Sequence, residues 1–237
     1  MKSSKDDLRK RGFASREDIE SLRGKSQEDL LALLHADTSV VRTASAHNLS
    51  VTHGDQKLVA AELLKQLCNE KCLYTKIALC RCLEKGGMDT AKQMACYLGR
   101  IGTNQHKQLP DRVSKKKSFP LPRDIVARSL GRMSPAVLPV LIDVLRSGDM
   151  DRILETLDAI GYMTYNNQQL AAGANARAVY DIMGKYSESK LLQWKAIVCL
   201  SVYPSMETKK ILEGFVNQDD LLGEEAKRSI SLINARV

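Results

Sequence analysis

At 237 residues the chain is long enough for one large domain or two small ones, and 43% hydrophobic with 27% charged residues is an ordinary soluble balance. Aromatic content of 5%, with Trp194 the single tryptophan, excludes a typical β-sandwich core and suits Leu, Ile, Val and Ala on helices. The formal net charge of +8 is concentrated in two places: residues 1–25 hold eight Lys/Arg against five Asp/Glu, residues 103–123 hold six Lys/Arg against one Asp, and the remainder is balanced.

The opening MKSSKDDLRKRGF carries charge with no apolar stretch behind it, so no secretory signal is expected. No run approaches the ~18 apolar residues of a membrane span. A cytoplasmic, reducing setting follows as the expectation, with the six cysteines as thiols. Residues 1–25 read as a basic extension whose SREDIESL stretch predicts a short helix over 16–23. Ser15 is placed to cap its start, with Asp18 three residues on.

From residue 26 onward apolar residues recur at helical spacing, and alternation at period two is nowhere sustained, so no sheet is expected. A short helix over 27–35 opens the series. VVRTASAHNL (40–49) follows, with Asp37 or Thr38 as its cap, then a partner over 56–68 with its stripe of Leu58, Val59, Leu63, Leu64 and Leu67. YTKIALCRCL (74–83) comes 34 residues after the first such helix, with a partner over 89–101. PRDIVARSLG (122–131) pairs with 135–146, where Pro135 suits a first helical position after Ser134 and Pro139 is expected to kink the helix. MDRILETLDAIG (150–161) pairs with 174–186, LQWKAIVCLSV (192–202) with 206–216, and EEAKRSISLI (224–233) closes the series. Each helix of the first kind carries a basic residue within its first four positions and runs through small and aliphatic residues to a Leu or Ile.

DTSVVRTASAHNL resembles the first helix of a HEAT repeat of the phycobilisome-lyase-like subgroup, an Asp and a Val-Arg followed by spaced alanines and a Leu. Val41, Arg42, Ala44, Ala46 and Leu49 carry the likeness. Ala127, Leu130 and Gly131 repeat it, as do Leu157, Ala159, Ile160 and Gly161. The resemblance covers residues 26–237 and implies an all-α, right-handed α-α superhelix of about six antiparallel helix pairs, an ARM-like solenoid. An isolated pair cannot bury its apolar face, so pairs must stack, and Ala44, Ala46, Ala78 and Ala127 would allow close approach. A plain helical bundle is the alternative fold.

The interval between the second and third units is lengthened by an insertion at about 103–122, with three prolines and a Lys115-Lys116-Lys117 run. A connection of this length inside a compact domain is either functional or a solvated loop. In the functional reading Arg112, Lys115, Lys116 and Lys117 contact an acidic partner or phosphates.

Catalytic chemistries find little support. Cys68-x₃-Cys72 could be half of a zinc site, but Cys80-x-Cys82 puts two thiols on different helix faces. No His-Glu dipeptide is present for the iron binding of some HEAT-repeat enzymes, and His47 sits alone in a repeat helix. No nucleophile motif or phosphate loop appears. Bilin-lyase activity is implied only by the subgroup's name. A base-excision groove would need stacking aromatics, and the partner helices offer Lys65, Lys92, Arg100, Arg146 and Lys185 alongside Glu62, Asp89, Asp143 and Asp181. The expectation is a non-enzymatic scaffold without cofactor or metal, binding a protein, an acidic one in the functional reading of the loop, through a concave face and the basic loop, with no membrane partner. Nucleic acid gripped by the basic tail and loop is the alternative.

Overall fold

The computed structural model describes residues 4–52 and 54–236. Met1, Lys2 and Ser3 of the basic extension, and His53, one of the histidines weighed for iron binding, lie outside them. The described residues are all-α, with fourteen α-helices and no strand. None of these helices is long and apolar enough to cross a membrane. The chain divides into two compact units, the first ending at Met94 and the second beginning at Ala95.

The first unit contains α1 (Lys5–Lys10), α2 (Arg16–Glu20), α3 (Gln27–Leu33), α4 (Ser39–Leu49), α5 (Gln56–Asn69) and α6 (Leu73–Glu84). Capping boxes set the two shortest starts. Ser4 and Asp7 exchange bonds around α1, and Ser15 and Asp18 do so around α2. The second box is the one read from SREDIESL, while α1 was not foreseen. The N-terminal segment is packed rather than free: α1, α2 and α3 lie on α4, and the Asn48 side-chain amide donates to the Ile19 carbonyl at 2.9 Å. Two of its three consecutive basic residues are engaged. Arg9 makes a forked contact with Asp18 at 2.6 and 3.2 Å, and Arg11 lies over the Tyr74 ring at 5.7 Å.

Asp37 does not cap α4. Thr38 stands at the N-cap but makes no side-chain cap bond. Arg42 instead ties down the segment before the helix, donating to the Ala36 and Asp37 carbonyls at 2.8 and 2.9 Å while its guanidinium forks onto Glu70 at 2.8 and 3.0 Å. Burial opposes the Glu70 charge, but Arg42, the Cys72 amide and Gln66 outweigh it and hold the carboxyl down at about 2. Ala44, Ala46 and Ala78 are buried where α4 packs on α6, as their size requires.

The second unit contains α8 (Ile125–Leu130), α9 (Leu138–Leu145), α10 (Met150–Asn166), α11 (Gly173–Lys185), α12 (Lys190–Leu200), α13 (Met206–Val216) and α14 (Leu221–Asn234); α7 (Met88–Ala95) leads into it. α8, α10, α12 and α14 lie side by side in one row. α9, α11 and α13 pack on α10, α12 and α14 respectively, and α9 also touches α11. The tight helix pairs are therefore α9/α10, α11/α12 and α13/α14, joined by the short links 146–149, 186–189 and 217–220, each ending in an N-cap: Asp149, Ser189 and Asp220. This shifts the pairing by one helix. The helix that carries the recurrent basic residue is the second member of its pair, not the first.

Four boundaries differ from expectation for local reasons. α7 ends at Ala95 rather than running to 101, because Gly99 has φ +74°, and the Ala95 carbonyl is taken by the Arg152 side chain at 2.9 Å. α8 starts only after Asp124, whose carboxylate accepts from the Ala127 amide at 2.7 Å. Pro135 does follow the Ser134 cap, but Pro139 produces no kink inside a helix. Residues Pro135–Val137 form a 3₁₀ turn, and Pro139 falls in the first turn of α9, where its missing N–H is not needed. α10 continues five residues past Gly161, because Gly161 serves a packing role described below.

Candidate functional site

The basic insertion is a long connection in the second unit without regular structure, yet it is fastened at both ends and in its middle. At its start Gln105 is buried and donates to the Ile101 carbonyl at 2.9 Å and to Asp124 at 2.8 Å. His106 meets the edge of Trp194 on α12, with ring centroids 4.9 Å apart. In the middle Arg228 on α14 donates to the backbone carbonyls of Lys116 and Ser118, both at 3.1 Å. Toward its end Phe119 is buried, stacking at a tilt on Tyr165 with centroids 6.2 Å apart and lying directly over Gly161. A Cβ at Gly161 would overlap that ring, which explains a glycine in the middle of a helix.

Between this loop and the row of helices lies a cleft of about 620 Å³, within the range of small-ligand sites. Its floor is Trp194 and Val198 on α12, with Asp158 of α10 and with Glu225 and Arg228 of α14; the loop supplies the opposite wall. Arg112, Lys115 and Lys116 line the cleft, whereas Lys117 is exposed beyond it. The four residues singled out in the sequence thus divide three to one. Arg123, counted earlier only as part of the loop's charge, joins the lining and contacts His106 Nδ1 at 3.4 Å. Among the described residues none of these five cations meets a carboxylate. Of the five cations noted on the partner helices, four are different: Lys65 lies 3.7 Å from Glu62, Lys92 3.6 Å from Asp89, Arg146 3.7 Å from Asp143 and Arg100 3.5 Å from Asp149, while Lys185 lies over the Tyr186 ring at 5.2 Å.

The two carboxylates in the floor are already engaged. Glu225 accepts from Trp194 Nε1 at 3.2 Å and from Arg228 at 2.7 Å. Asp158 accepts from Lys195 at 2.9 Å. Lys195 is fully buried and also donates to Glu155 at 2.8 Å. Burial opposes the Lys195 charge, but Asp158 and Glu155 outweigh it and keep it protonated, above the ordinary lysine value. Glu155 is pushed the other way. Burial, with Asp158 and Asp124 adding like charge, overcomes the attraction of Lys195 and raises its carboxyl to about 7. Its Oε2 has no hydrogen-bond partner, so it can take up a proton without breaking the bond to Lys195.

A pH test follows. A carboxyl raised in the folded state stabilises it below the ordinary carboxylate range, and that stability is lost as pH rises through about 7. Glu155→Gln keeps the acceptor for Lys195 and removes the titration. Between pH 5 and pH 8 the wild type should lose on the order of 1–3 kcal/mol relative to this variant in urea denaturation. Parallel pH profiles would rule out Glu155 as the titrating group.

The other groups weighed for chemistry do not line this cleft. Cys80 and Cys82 are buried on α6, and burial pushes the Cys82 thiol up to about 12. His35 is 3.4 Å from Glu62, and half-buried His47 is pushed down by burial and by Arg81 and Lys85. No group of three or more His, Cys, Asp or Glu among the described residues could hold a metal ion. Sequence reasoning missed Arg228, Glu225, Lys195, Glu155 and Asp158. For Arg228 and Lys195 the one signal was the recurrent basic residue of these helices, read as a repeat mark rather than as a clasp for loop carbonyls or for buried carboxylates. Comparisons with protein-family models, curated proteins and solved structures find no match to this chain.

Proposed function

We propose that this chain is a HEAT-like α-solenoid acting as a non-enzymatic scaffold that binds a protein partner through its concave face and the basic loop. The observation that carries this reading is a row of cations without carboxylate partners, Arg112, Lys115, Lys116 and Lys117, on a loop whose backbone is held by Arg228 and Phe119. Holding the backbone lowers the ordering cost of binding, and leaving the charges unpaired keeps them available. In a solenoid of paired helices a concave face is lined by the second helix of each pair. With this pairing those are α10, α12 and α14, whose row the loop adjoins, so the loop and the proposed concave face would form one surface. This surface is favoured over the partner helices, where Lys65, Lys92 and Arg146 have acidic neighbours.

The same unpaired cations favour nucleic acid as the second reading. The two separate in a pull-down from native lysate, with and without nuclease, comparing wild type with the triple variant Lys115→Glu, Lys116→Glu, Lys117→Glu. The scaffold reading expects a discrete partner that resists nuclease and is lost with the variant. Recovery that nuclease abolishes, or duplex binding that falls by roughly 0.9 log units per neutralised phosphate per log unit of salt, would replace it with nucleic acid. A partner retained by the variant would remove the loop from the reading.

A further inference from the structure

We infer that the cleft under the basic loop is a receptor for an acidic linear peptide carrying one aliphatic or aromatic anchor, with the anchor seated against Trp194 and the acids on the loop. The inference rests on the scaffold reading and names the kind of partner segment it would take.

Three features of the site select that ligand. First, the charge is one-sided. Arg112, Lys115, Lys116 and Arg123 ring the cleft without carboxylate partners, while Asp158 and Glu225 in its floor are committed to Lys195 and to Arg228 and Trp194. The cleft therefore presents net positive charge to an entering group, and an acidic segment complements it. Second, the floor and wall are apolar where the cations stop. Trp194 is half-buried with its ring nitrogen already satisfied, and Leu121 is 46% exposed with nothing covering it. A bare phosphate or polyanion leaves that apolar surface wet, whereas a Leu or Phe side chain covers it and gains by removing it from water. Third, the wall is preformed. Phe119, Gln105 and the two carbonyls held by Arg228 fix the loop before a ligand arrives, so little ordering remains to oppose binding. Duplex nucleic acid fits less well, because a rod cannot place an apolar group inside a cleft roofed by its own cationic loop.

Trp194 is the chain's single tryptophan and lies in the floor, so its emission reports occupancy directly. The probe is a synthetic peptide of about ten residues, glutamates flanking a central Leu-Leu pair. It should shift the emission saturably. A polyglutamate of equal length should bind at least about tenfold more weakly. The double variant Lys115→Glu, Arg123→Glu should lose binding by about tenfold or more, with an unchanged thermal melt, since both side chains are exposed. Lys117→Glu, outside the lining, should bind the probe nearly as wild type does. Absence of any Trp194 response, or equal binding of polyglutamate, overturns the inference. If the nuclease-resistant partner is still recovered in that case, the scaffold reading survives without it. Displacement of the probe by duplex DNA at equal charge overturns both.

Discussion

Lys195→Met should destabilise the second unit by about 3–5 kcal/mol, the usual cost of removing one partner from a buried ion pair. The Lys195 side chain has no exposed surface, and its ammonium lies 2.8 Å from Glu155 and 2.9 Å from Asp158. Without it two carboxylates on adjacent turns of α10 face each other inside the packing of α10 against α12, with the fully buried Asp124 adding to the repulsion. Glu155 would then be neutral well above pH 7, and Asp158 would turn toward the cleft. The pair Lys195→Met with Glu155→Leu removes the ammonium together with the more deeply buried of its two carboxylates and should recover a large part of the loss, since well-packed apolar replacements of buried pairs are often neutral. Chemical denaturation followed by far-UV dichroism and by Trp194 emission measures both variants. A loss below about 1 kcal/mol for the single variant would mean that the network carries little stability.

Gly161→Ala should also destabilise, against the direction that helix propensity gives. Alanine inside a helix is ordinarily favoured over glycine by about 0.5–1 kcal/mol. Here the new Cβ overlaps the buried Phe119 ring, and overpacking of this kind costs about 1–3 kcal/mol. The ring can escape only by leaving its place on Tyr165, and that frees the loop from its anchor nearest α8. The variant should therefore be cut by trypsin within Lys115, Lys116 and Lys117 much faster than the wild type, and the acidic probe peptide should bind it more weakly. Gly214 in α13 has open space around its Cβ position, so Gly214→Ala should stabilise by about 0.5–1 kcal/mol and serves as the control. Equal stabilisation by the two substitutions would show that Phe119 does not occupy the Gly161 surface.

Both predictions concern groups that the chain's local pattern does not single out. Glu155 and Lys195 are separated by 40 residues, and Arg228 lies 110 residues from the Ser118 carbonyl that it holds. The recurrent basic residue was visible in VVRTASAHNL and MDRILETLDAIG. Its work was not: Arg42, Arg152 and Arg228 each take a carbonyl of a distant or preceding segment, a task fixed by which helix lies next to which. The pairing of helices was misread for the same reason. Periodicity locates each helix, but the short links at 146–149, 186–189 and 217–220 decide which two form a hairpin only once the apolar faces have met.

What the sequence determined by itself is what local chemistry controls. A 3.6-residue apolar period, the Ser15–Asp18 box, the Ser134-Pro135 start and the absence of alternation specify an all-α chain, and the excess of lysine and arginine over 103–123 marks its one strongly cationic loop. Tertiary structure alone decided that this loop is clasped rather than free, that Lys117 stands outside the cleft while Arg123 stands inside it, and that Trp194 forms the floor. Those outcomes depend on contacts between segments far apart in the chain, where burial of Phe119 and the carbonyl bonds of Arg228 compete with loop entropy. No residue pattern within a single segment records which of them prevails.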